Sequence, residues 1–569
     1  MAKESENKIC QNCKNDFIIE ADDFGFYEKI NVSPPTFCPQ CRLQRRLAWR
    51  NDLALYNRSC DKCGKKIVSL YHPNKPLTVY CNTCWWGDGW DPKSYAKDVD
   101  FSRPFFEQFR ELQDKVPLLA LINDDGIGSV NSEYTQNVTF SKNCYMEFMS
   151  WYVEDCMYSY CMAGPETREV MDSLSIFYYS QIIYECVSVE HCYNCRNCYF
   201  STGLTDCILC YDCKGCSNTF MCANLRQKKY CILNKQYSKE EYEKMIKSYR
   251  LDTYSGMEKA KKEFAEFLSK QPRKFANIVN SVDSTGNGLV DCKNTKDSFM
   301  ARGCEDMRFL VRGDGVKDSY DLTPGGKSSQ SYEGLTADHD YRAFFSIFSL
   351  KNQEVSYVEN CHSSKHLFGC SGIRHGEYLI FNKQYIKEEY FELRDKLIEH
   401  MKTTEEYGEF FPSAMSNFGY NETMAQEHFP LSKEEAVKAG YRWWDKIQKT
   451  TGKETVHLDN VPDSIADVLD SILNEVLACQ DCERNYKIIE NELIFYKKHS
   501  IPIPRKCFYC RAGERFKMEN PFNLWDRNCM CDKNNHGHES QCLNEFKTVY
   551  APERPEIIYC EKCYQSEMY

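Results

Sequence analysis

Paired cysteines near both ends of the chain constrain its fold more than any other feature. The protein has 569 residues and 34 cysteines, and many of the cysteines near the two ends form C-x-x-C pairs. The opening residues, MAKESENKICQNC, contain no apolar export signal. We therefore expect a cytoplasmic protein in which such pairs are metal ligands and not disulfides. No apolar run approaches the ~20 residues that cross a bilayer, so no membrane association is expected.

The two ends of the chain are copies of one module. A shift of 469 residues superimposes five N-terminal cysteines on five C-terminal cysteines without a gap. Arg42 and Arg46 fall on Arg511 and Arg515 at the same shift. After a ten-residue insertion the match resumes at a shift of 479 residues. Internal repeats of this kind predict that the two ends share one fold.

The spacing of the cysteine pairs predicts zinc sites. Zinc prefers tetrahedral thiolate ligands, and a C-x-x-C knuckle supplies two thiolates from one tight turn. The first pair precedes FIIEADDFGFYEKI, which we predict to be a hairpin of strands, and the second pair opens a segment of good helix formers. Knuckle, hairpin and helix in that order are typical of a treble clef. The next two pairs bracket IVSLYHPNKPLTVY, predicted to form two strands around a turn as in a zinc ribbon.

We predict about four Zn²⁺ ions, one at each of four cysteine quartets named sites 1 to 4. Site 1 is Cys10, Cys13, Cys38 and Cys41, and site 2 is Cys60, Cys63, Cys81 and Cys84. Site 3 is Cys479, Cys482, Cys507 and Cys510, and site 4 is Cys529, Cys542, Cys560 and Cys563. Four thiolates leave no open coordination position, which indicates structural and not catalytic zinc. The alternatives are disulfides or iron–sulfur centres.

The insertion beside site 4 adds further candidate metal ligands. Its sequence, CMCDKNNHGHESQC, contains Cys531, His536 and His538. These side chains make the choice of ligands at site 4 open, because thiolate and imidazole both bind zinc.

The cysteine-rich ends resemble a known domain family. CQNCKNDFIIEADDFGFYEKINVSPPTFCPQCR and its copy CQDCERNYKIIENELIFYKKHSIPIPRKCFYCR are similar to the treble-clef-like "probable zinc-ribbon" domain family, whose function is not established. Members of that family run C-x-x-C, a hydrophobic strand, FY, then C-x-x-C-R. The match covers about 35 residues at each end. The full-length layout resembles uncharacterised Cys-rich proteins of uncultured candidate-phyla bacteria. The resemblance implies zinc and no activity.

A second duplication occupies the middle of the chain. A shift of 148 residues superimposes Tyr184-Glu185 on Tyr332-Glu333, and the motifs NKQY and KEEY recur at the same shift. We therefore divide the chain into six parts. These are an N-terminal double-zinc module at 1–100, a connecting helix at 101–120, repeat A at 121–255, repeat B at 256–403, a connector with helices at 404–478, and a C-terminal double-zinc module at 479–569.

Cysteine series in repeat A predict a parallel β-solenoid. One series begins at Cys192 and the next at Cys207, 15 residues later, and equivalent side chains at a fixed period stack as ladders. KEEY opens a helix that would cap the solenoid, and Ser238 with Glu241 fits a capping box. The predicted fold class is mainly β with α. Two terminal modules, each a treble clef plus a zinc ribbon, flank a duplicated parallel β-solenoid-like middle with capping helices.

Shorter segments are predicted from local patterns. Residues 103–115 are predicted to form a helix, as are LSKEEAVKAGYRWWDKIQK and the run around DSIADVLDSILNEVL. DDGIGSVNS at 124–132 and RGDGVKDS at 312–319 are predicted turns. The tryptophan-rich segment WWGDGWD at 85–91 is predicted to be a small core beside site 2, with stacking on sugars or bases as the alternative.

Most cysteines of the middle are predicted to fill the core. Cys207 and Cys210 correspond to Val355 and Val358 in repeat B, and valine replaces a small buried hydrophobe but not a metal ligand. Four cysteines have a cysteine counterpart in repeat B, which leaves a further metal site in each repeat as an alternative. They are Cys144, Cys156, Cys213 and Cys222.

Arginines on the first predicted treble-clef helix suggest a nucleic-acid contact. Arg42, Arg45, Arg46 and Arg50 would form this surface. The alternative is a structural role, because each four-thiolate zinc centre carries a formal charge of −2 that nearby guanidinium groups would offset. The net charge of −11, made more negative by four such centres, disfavours nucleic-acid binding.

No residue is assigned to catalysis, because the chain has no G-x-S-x-G, P-loop, H-E-x-x-H or Rossmann motif. The predicted function is that of a zinc-binding, non-enzymatic scaffold for a protein or ribonucleoprotein partner. One alternative is nucleic-acid or ribonucleoprotein binding through the arginine-rich helix. The other is an enzyme with a carbohydrate-type groove on the solenoid, which would need paired carboxylates.

Overall fold

The chain builds two large sheets of mainly parallel strands, with helices between them and small cysteine-containing elements at both ends. The computed structural model describes residues 4–123 and 129–568. More of these residues lie in strands than in helices, and cysteine clusters lie near both termini. Residues 124–128 of the turn predicted at 124–132 lie outside the described residues.

The N-terminal elements are short. The strands of the N-terminal region are Glu6–Ile9, Asp16–Ile19, Tyr56–Ser59, Lys66–Ser69, Val79–Tyr80 and Leu118–Leu119. Its helices are Ala21–Ile30, Pro39–Leu47, Asn82–Trp86, Phe105–Gln113 and the 3-10 turn Pro92–Tyr95. The helix predicted at 103–115 is confirmed by Phe105–Gln113.

The segment between the two pairs of site 1 is a strand followed by a helix, which corrects the predicted hairpin. The strand Asp16–Ile19 has only four residues, and the helix Ala21–Ile30 follows it. Glu20 and Asp23 form a capping box at its start, and apolar residues at three-residue steps bury one face. The C-terminal copy has the same helix at Glu490–His499.

The two strands predicted between the pairs of site 2 are present, but they do not pair with each other. Lys66–Ser69 pairs antiparallel with Tyr56–Ser59. Val79–Tyr80 pairs in parallel with Leu118–Leu119. The second pair of site 2 opens the helix Asn82–Trp86, so site 2 also ends on a helix N-terminus.

The first sheet contains eleven strands of the described chain, nearly all parallel. They are Gln136–Thr139, Phe148–Glu154, Tyr160–Met171, Leu174–Phe177, Gln181–Tyr184, Val187–Glu190, Tyr193–Tyr199, Ile208–Tyr211, Ser217–Ala223, Lys229–Ile232 and Lys235–Gln236. The helices Lys239–Tyr249 and Tyr254–Leu268 follow. The capping box predicted at Ser238 and Glu241 is confirmed.

The second sheet contains thirteen strands of the described chain. They are Ile278–Val279, Gly286–Val290, Lys293–Lys296, Ser298–Arg302, Glu305–Arg308, Val311–Asp314, Lys317–Gly326, Tyr332–Asp338, Tyr341–Leu350, Gln353–Glu359, Lys365–Phe368, Glu377–Ile380 and Lys383–Gln384. The helix Lys387–Thr403 closes it. Arg273–Lys274, just before this sheet, pairs in parallel with Ile558–Tyr559 of the C-terminal module.

Both sheets have a three-residue periodicity. Residues with φ near +50° recur at this step, as at Asn194 and Asn197. Buried side chains recur at the same step, as at Cys195 and Cys198. Paired residues are mostly twelve apart, so Cys198 pairs with Cys210. Any offset that is a multiple of three residues places a buried side chain above another buried side chain. The fifteen-residue offset between the cysteine series is therefore compatible with burial, but the strands pair at an offset of twelve.

Asparagine and aspartate at the turning positions hydrogen-bond to each other between neighbouring strands. Asn143 donates to Asp155 at 2.9 Å, and Asn194 donates to Asp206 at 2.7 Å. These residue types tolerate positive φ better than other L residues do. Asparagine and aspartate therefore serve two purposes in these turns: they tolerate the positive φ, and they hydrogen-bond to the equivalent residue of the next turn.

The connector before the C-terminal module is mostly irregular. Its helices are Met424–His428 and Lys433–Lys438, and its 3-10 turns are Ser413–Met415, Tyr420–Glu422, Leu458–Asn460, Ile465–Asp467 and Asp470–Asn474. The helix predicted around DSIADVLDSILNEVL is therefore wrong, since this run forms only 3-10 turns. The helix predicted in LSKEEAVKAGYRWWDKIQK is confined to six residues.

The C-terminal region, like the N-terminal one, consists of short elements around its cysteines. Its strands are Leu477–Ala478, Asn485–Tyr486, Trp525–Asn528, Glu545–Thr548 and Ile558–Tyr559. Its helices are Glu490–His499, Phe508–Met518, Glu561–Met568 and the 3-10 turn Asn534–His536.

The terminal modules pack crosswise: the N-terminal module lies against the second sheet, and the C-terminal module lies against the first sheet. Phe26 of the N-terminal module stacks on Tyr320 of the second sheet, with ring centroids 3.9 Å apart. Phe508 of the C-terminal module stacks on Phe148 of the first sheet at 5.7 Å. Each end of the chain therefore buries its apolar face against the sheet that is more distant in sequence.

Candidate metal centres

The structure brings together all four cysteine quartets. In each of sites 1 to 4, the four Sγ atoms lie within 4.8 Å of one another. Cys13 and Cys38 of site 1 have sulfurs 3.8 Å apart, and Cys482 and Cys507 of site 3 have sulfurs 3.7 Å apart. The sixteen cysteines are free thiols, since a disulfide would place its sulfurs about 2 Å apart. Four cysteine groups that could hold metal ions are thus present.

These sulfur separations match a tetrahedral metal. Zinc–sulfur bonds of about 2.3 Å give a tetrahedron whose edge is about 3.8 Å. Cys63 and Cys81 of site 2 have sulfurs 3.9 Å apart, as do Cys542 and Cys560 of site 4. The four sites therefore share one geometry as well as one composition.

A knuckle and a helix N-terminus build site 1. Cys10 and Cys13 lie on a tight turn, in which Lys14 has a φ of +64°. Cys38 precedes the first residue of the helix Pro39–Leu47, and its backbone N–H donates to Cys10 Sγ at 3.2 Å. The positive end of a helix dipole and N–H donors both favour thiolate over thiol.

The other sites reuse this construction. Cys507 caps the helix Phe508–Met518 in site 3. The backbone N–H of Cys81 donates to Cys60 Sγ in site 2, and that of Cys560 donates to Cys529 Sγ in site 4, each at 3.2 Å. Sequence spacing predicted a helix after the second pair of sites 1 and 3 alone, whereas sites 2 and 4 have one as well.

Each site contains one thiol whose pKa lies near neutrality. Burial raises the pKa of Cys10, but hydrogen bonds from backbone N–H groups outweigh this effect and lower the pKa to about 6. The same balance brings the pKa of Cys60 to about 6 and that of Cys479 to about 7. In site 4, the side chain of Asn544 also donates, and the pKa of Cys560 falls to about 7. Such a thiolate provides a first ligand at physiological pH.

Three candidate ligands lie beside site 4. Cys531 and His536 form a second group with Cys563 of site 4, and the ligand atoms of these three residues lie within 4.8 Å of one another. Cys531 Sγ lies 3.1 Å from His536 Nδ1, and Cys563 Sγ lies 3.4 Å from His538 Nε2. The structure therefore brings the insertion onto the edge of site 4, with Cys563 belonging to both groups.

The arginines predicted to contact nucleic acid are buried in this structure. Arg42, Arg45, Arg46 and Arg50 are each at most 5 % exposed. Their guanidinium groups pair with carboxylates of this chain and cannot reach a phosphate backbone in this conformation. The alternative structural role agrees with this burial, although the partners are carboxylates and not zinc-bound sulfurs.

Two of these arginines share one buried aspartate. Arg42 lies 2.9 Å from Asp321, and Arg46 lies 3.0 Å from its other carboxylate oxygen. Arg46 and Arg45 also contact Glu333 of the next strand. Burial lowers the pKa of Arg42, but the charge of Asp321 raises it well above its ordinary value, so Arg42 keeps its charge.

The C-terminal module makes the equivalent contact with the first sheet. Arg511 lies 2.9 Å from Asp172, and Arg515 lies 3.1 Å from the same carboxylate. Neither aspartate is predicted as a functional residue from the sequence. The 148-residue duplication matches Glu333, which contacts Arg46 together with Asp321, to Glu185, but it indicates no role for either glutamate.

Cysteines of the middle are buried and hydrogen-bonded to the backbone. Cys198 Sγ lies 3.4 Å from the carbonyl of Arg196 and 3.5 Å from that of Cys207. Val355 and Val358 occupy equally buried positions in the second sheet. Within residues 4–123 and 129–568, the groups that could hold a metal ion include none of these cysteines.

The tryptophan-rich segment belongs to the core, as predicted. Trp85 is fully buried, and its indole N–H donates to the carbonyl of Pro117 at 3.0 Å. Trp90 donates to the carbonyl of Trp85 at 2.6 Å, and both Trp85 and Trp86 pack against His362. The predicted turn at 312–319 is centred on Gly315, which has a φ of +63° between two strands.

A cavity of about 360 Å³ lies between the terminal modules and the first sheet. Tyrosines line much of it, together with Arg484 and Arg511, and its one lining carboxylate is Glu492. A glycosidase-type reaction needs two carboxylates, so this cavity does not supply that chemistry.

Comparison with family models, curated proteins and solved structures finds no match for this chain. Among the described residues, no helix has both the length and the apolar character needed to span a membrane.

Proposed function

We propose that the protein is a non-enzymatic scaffold whose sites 1 to 4 hold structural Zn²⁺. The observation that carries this proposal is the sulfur–sulfur separation: all four sulfurs of each quartet lie within 4.8 Å of one another, and one pair in each is 3.7–3.9 Å apart. A single closed tetrahedron of four thiolates suits Zn²⁺, and it would also accept one iron ion, which the elemental analysis below distinguishes from zinc. A closed tetrahedron supports folding and not catalysis.

The zinc ions stabilise the two terminal modules by tying together the paired cysteines of each site. Each module is proposed to follow the "probable zinc-ribbon" pattern, one copy at each end. The middle is proposed to be a β-solenoid with twelve residues per coil, supported by the register and the three-residue periodicity. The modules hold this solenoid through buried arginines, as at Arg42 with Asp321 and Arg511 with Asp172.

The proposed partner is a protein or ribonucleoprotein. Phe140 and Tyr152 of the first sheet support this, because they are about half exposed and stack on each other with ring centroids 5.0 Å apart. Free paired thiols support a reducing compartment such as the cytoplasm. Nucleic-acid binding through Arg42 and Arg46 is not proposed, since both side chains are buried.

Elemental analysis of the full chain, purified under reducing conditions, tests the zinc proposal. We expect at least four equivalents of zinc, and unfolding of the terminal modules on treatment with a strong chelator. Well under four equivalents, or iron with the visible absorption of an iron–sulfur centre, would overturn the proposal. Co-purified nucleic acid that is lost steeply with added salt would favour the nucleic-acid alternative instead.

A further inference from the structure

We propose that Cys531, His536, His538 and Cys563 bind a fifth Zn²⁺, and that Cys563 bridges this ion to the ion of site 4. This inference rests on the proposed function, because site 4 must hold zinc for the bridge to exist. It names a two-metal centre, which none of the four predicted single-ion sites includes.

The ten-residue insertion supplies three of the four ligands. Cys531 is fully buried and His536 is 3 % exposed, although the residues between them are exposed. A 3-10 turn at Asn534–His536 and Gly537, with a φ of +83°, fold the insertion back. The backbone N–H of Cys542 donates to the carbonyl of Cys531 at 2.8 Å and fixes the base of the loop. A loop of polar residues thus buries Cys531 and His536, two of its three potential ligands.

The separations suit a tetrahedral ion. Zinc–sulfur and zinc–nitrogen bonds of about 2.3 and 2.0 Å give a sulfur–nitrogen edge of about 3.5 Å. Cys531 Sγ is 3.1 Å from His536 Nδ1, and Cys563 Sγ is 3.4 Å from His538 Nε2. The ligand atoms of Cys531, His536 and Cys563 lie within 4.8 Å of one another, and His538 joins this group of three through its contact with Cys563.

Both histidines are oriented as metal ligands. His536 turns Nε2 toward Glu567, 3.5 Å away, and so leaves Nδ1 facing Cys531. His538 Nδ1 hydrogen-bonds to the carbonyl of Ser540, which leaves Nε2 with a lone pair facing Cys563. Zinc-bound histidines characteristically donate their other ring N–H to a carboxylate or a carbonyl. Each ring has such an acceptor, on the side away from the sulfurs.

Cys563 is the residue that joins the two ions. Its fully buried sulfur belongs to the quartet of site 4 and to the group with Cys531 and His536. A thiolate has lone pairs for two metal ions. Two Zn²⁺ with five thiolates and two neutral imidazoles carry a formal charge of −1, less than the −2 of a single four-thiolate centre. Bridging therefore reduces the charge that this buried cluster must hold.

Site 2 is the internal control. Its first pair encloses only Asp61 and Lys62, so the N-terminal copy has no counterpart of the insertion and no ligand for a further ion. The two modules should therefore hold different numbers of zinc ions, two in the first and three in the second.

Zinc content of the full chain and of matched variants tests the inference. We expect five equivalents in the wild type, and four in both Cys531→Ser and His536→Ala. His339→Ala, which removes an exposed histidine elsewhere, should retain five. Four equivalents in the wild type, unchanged by both substitutions, would overturn the fifth site and leave thiol–imidazole hydrogen bonds in its place. Well under four would overturn the proposed function, and the fifth site with it.

Cobalt substitution tests the bridge separately. Two Co²⁺ ions joined by Cys563 should couple antiferromagnetically, so the EPR signal of the five-cobalt protein should account for fewer than five ions. Cys531→Ser should restore a signal that accounts for all four remaining ions. Five uncoupled Co²⁺ ions in the wild type would overturn the bridge, because the fifth ion would then not share a sulfur.

Discussion

Arg42 and Asp321 are 279 residues apart in the sequence, yet their side chains form a buried ion pair at 2.9 Å. Arg511 and Asp172, 339 residues apart, form its counterpart at the same distance. The duplicated modules have thus kept their arginines as well as their cysteines. Each pair fastens one end of the chain to the sheet formed by the opposite half of the middle region.

Replacing Arg42 should destabilise the protein strongly. Arg42→Met leaves Asp321 buried beside Arg46 alone, and removing one partner of a buried ion pair costs about 3–5 kcal/mol. Urea unfolding followed by tryptophan fluorescence measures the loss. The double variant Arg42→Met with Asp321→Leu should lose less than the single variant, since no carboxylate is then left with half its partners. An exposed control, Lys396→Ala, should change the stability by no more than about 0.5 kcal/mol.

Cysteines of the ends and of the middle should differ in their effect on metal content. Cys38→Ser removes a ligand of site 1, so we expect one zinc ion fewer and unfolding of the N-terminal module. Cys207→Val places in the first sheet the residue found as Val355 in the second, and should keep the full metal content. Elemental analysis together with limited proteolysis measures both effects. Equal metal loss in the two variants would contradict the division of cysteines into ligands and core residues.

Asp340 should make the stability of the second sheet fall as pH rises. Burial raises its pKa to about 7, although the hydrogen bond from the backbone N–H of Asn352 lowers it. The ordinary value in an unfolded chain is about 3.9, so between these values the folded protein holds a proton that the unfolded chain has lost. The free energy of unfolding then falls by about 1.4 kcal/mol per pH unit up to about pH 7.

The isosteric variant Asp340→Asn should lack this decline. Unfolding measured from pH 5.5 to 7.5 should show the difference in stability between wild type and variant shifting in favour of Asn as pH rises. A constant difference across the range would show that Asp340 is ionised in the folded protein.

The helices that close the two sheets offer a reciprocal test of capping. Ser238 caps the helix Lys239–Tyr249 with a full capping box, whereas Ile386, 62 % exposed, occupies the same position before Lys387–Thr403. Ser238→Ala should weaken the first helical turn by about 1 kcal/mol, and Ile386→Ser should strengthen its counterpart by a similar amount. Hydrogen exchange of the first-turn amides reports each change locally. Parallel shifts in the same direction would contradict the assignment.

Local spacing predicted the grouping of the cysteines well, because seven of the eight cysteine pairs are C-x-x-C knuckles and both modules contain them. Local spacing predicts the wrong element where the apolar residues of a segment fit more than one kind of secondary structure. Phe24, Tyr27 and Ile30 lie at helical steps, but the neighbouring residues also suggest a strand, and the segment was predicted as a hairpin. The run from 463 to 477 has apolar residues at helical spacing, yet it forms 3-10 turns.

Long-range pairing was beyond prediction from a single sequence. Nothing near Arg42 indicates a carboxylate 279 residues away, so its helix suggested a phosphate ligand when its true partner is Asp321. The strand register was similarly hidden, because cysteines three residues apart are consistent with a period of twelve or of fifteen. Only the backbone pairing of Cys198 with Cys210 distinguishes the two.

The crosswise docking has a consequence for synthesis on the ribosome. Arg42 emerges 279 residues before Asp321, which at about 5–20 residues per second is a delay of roughly 14 to 56 seconds. Throughout that interval the first module has its own cysteines but lacks the acidic partner of its arginines. A nascent chain stalled before residue 321 would therefore expose a cationic helix that the finished protein conceals.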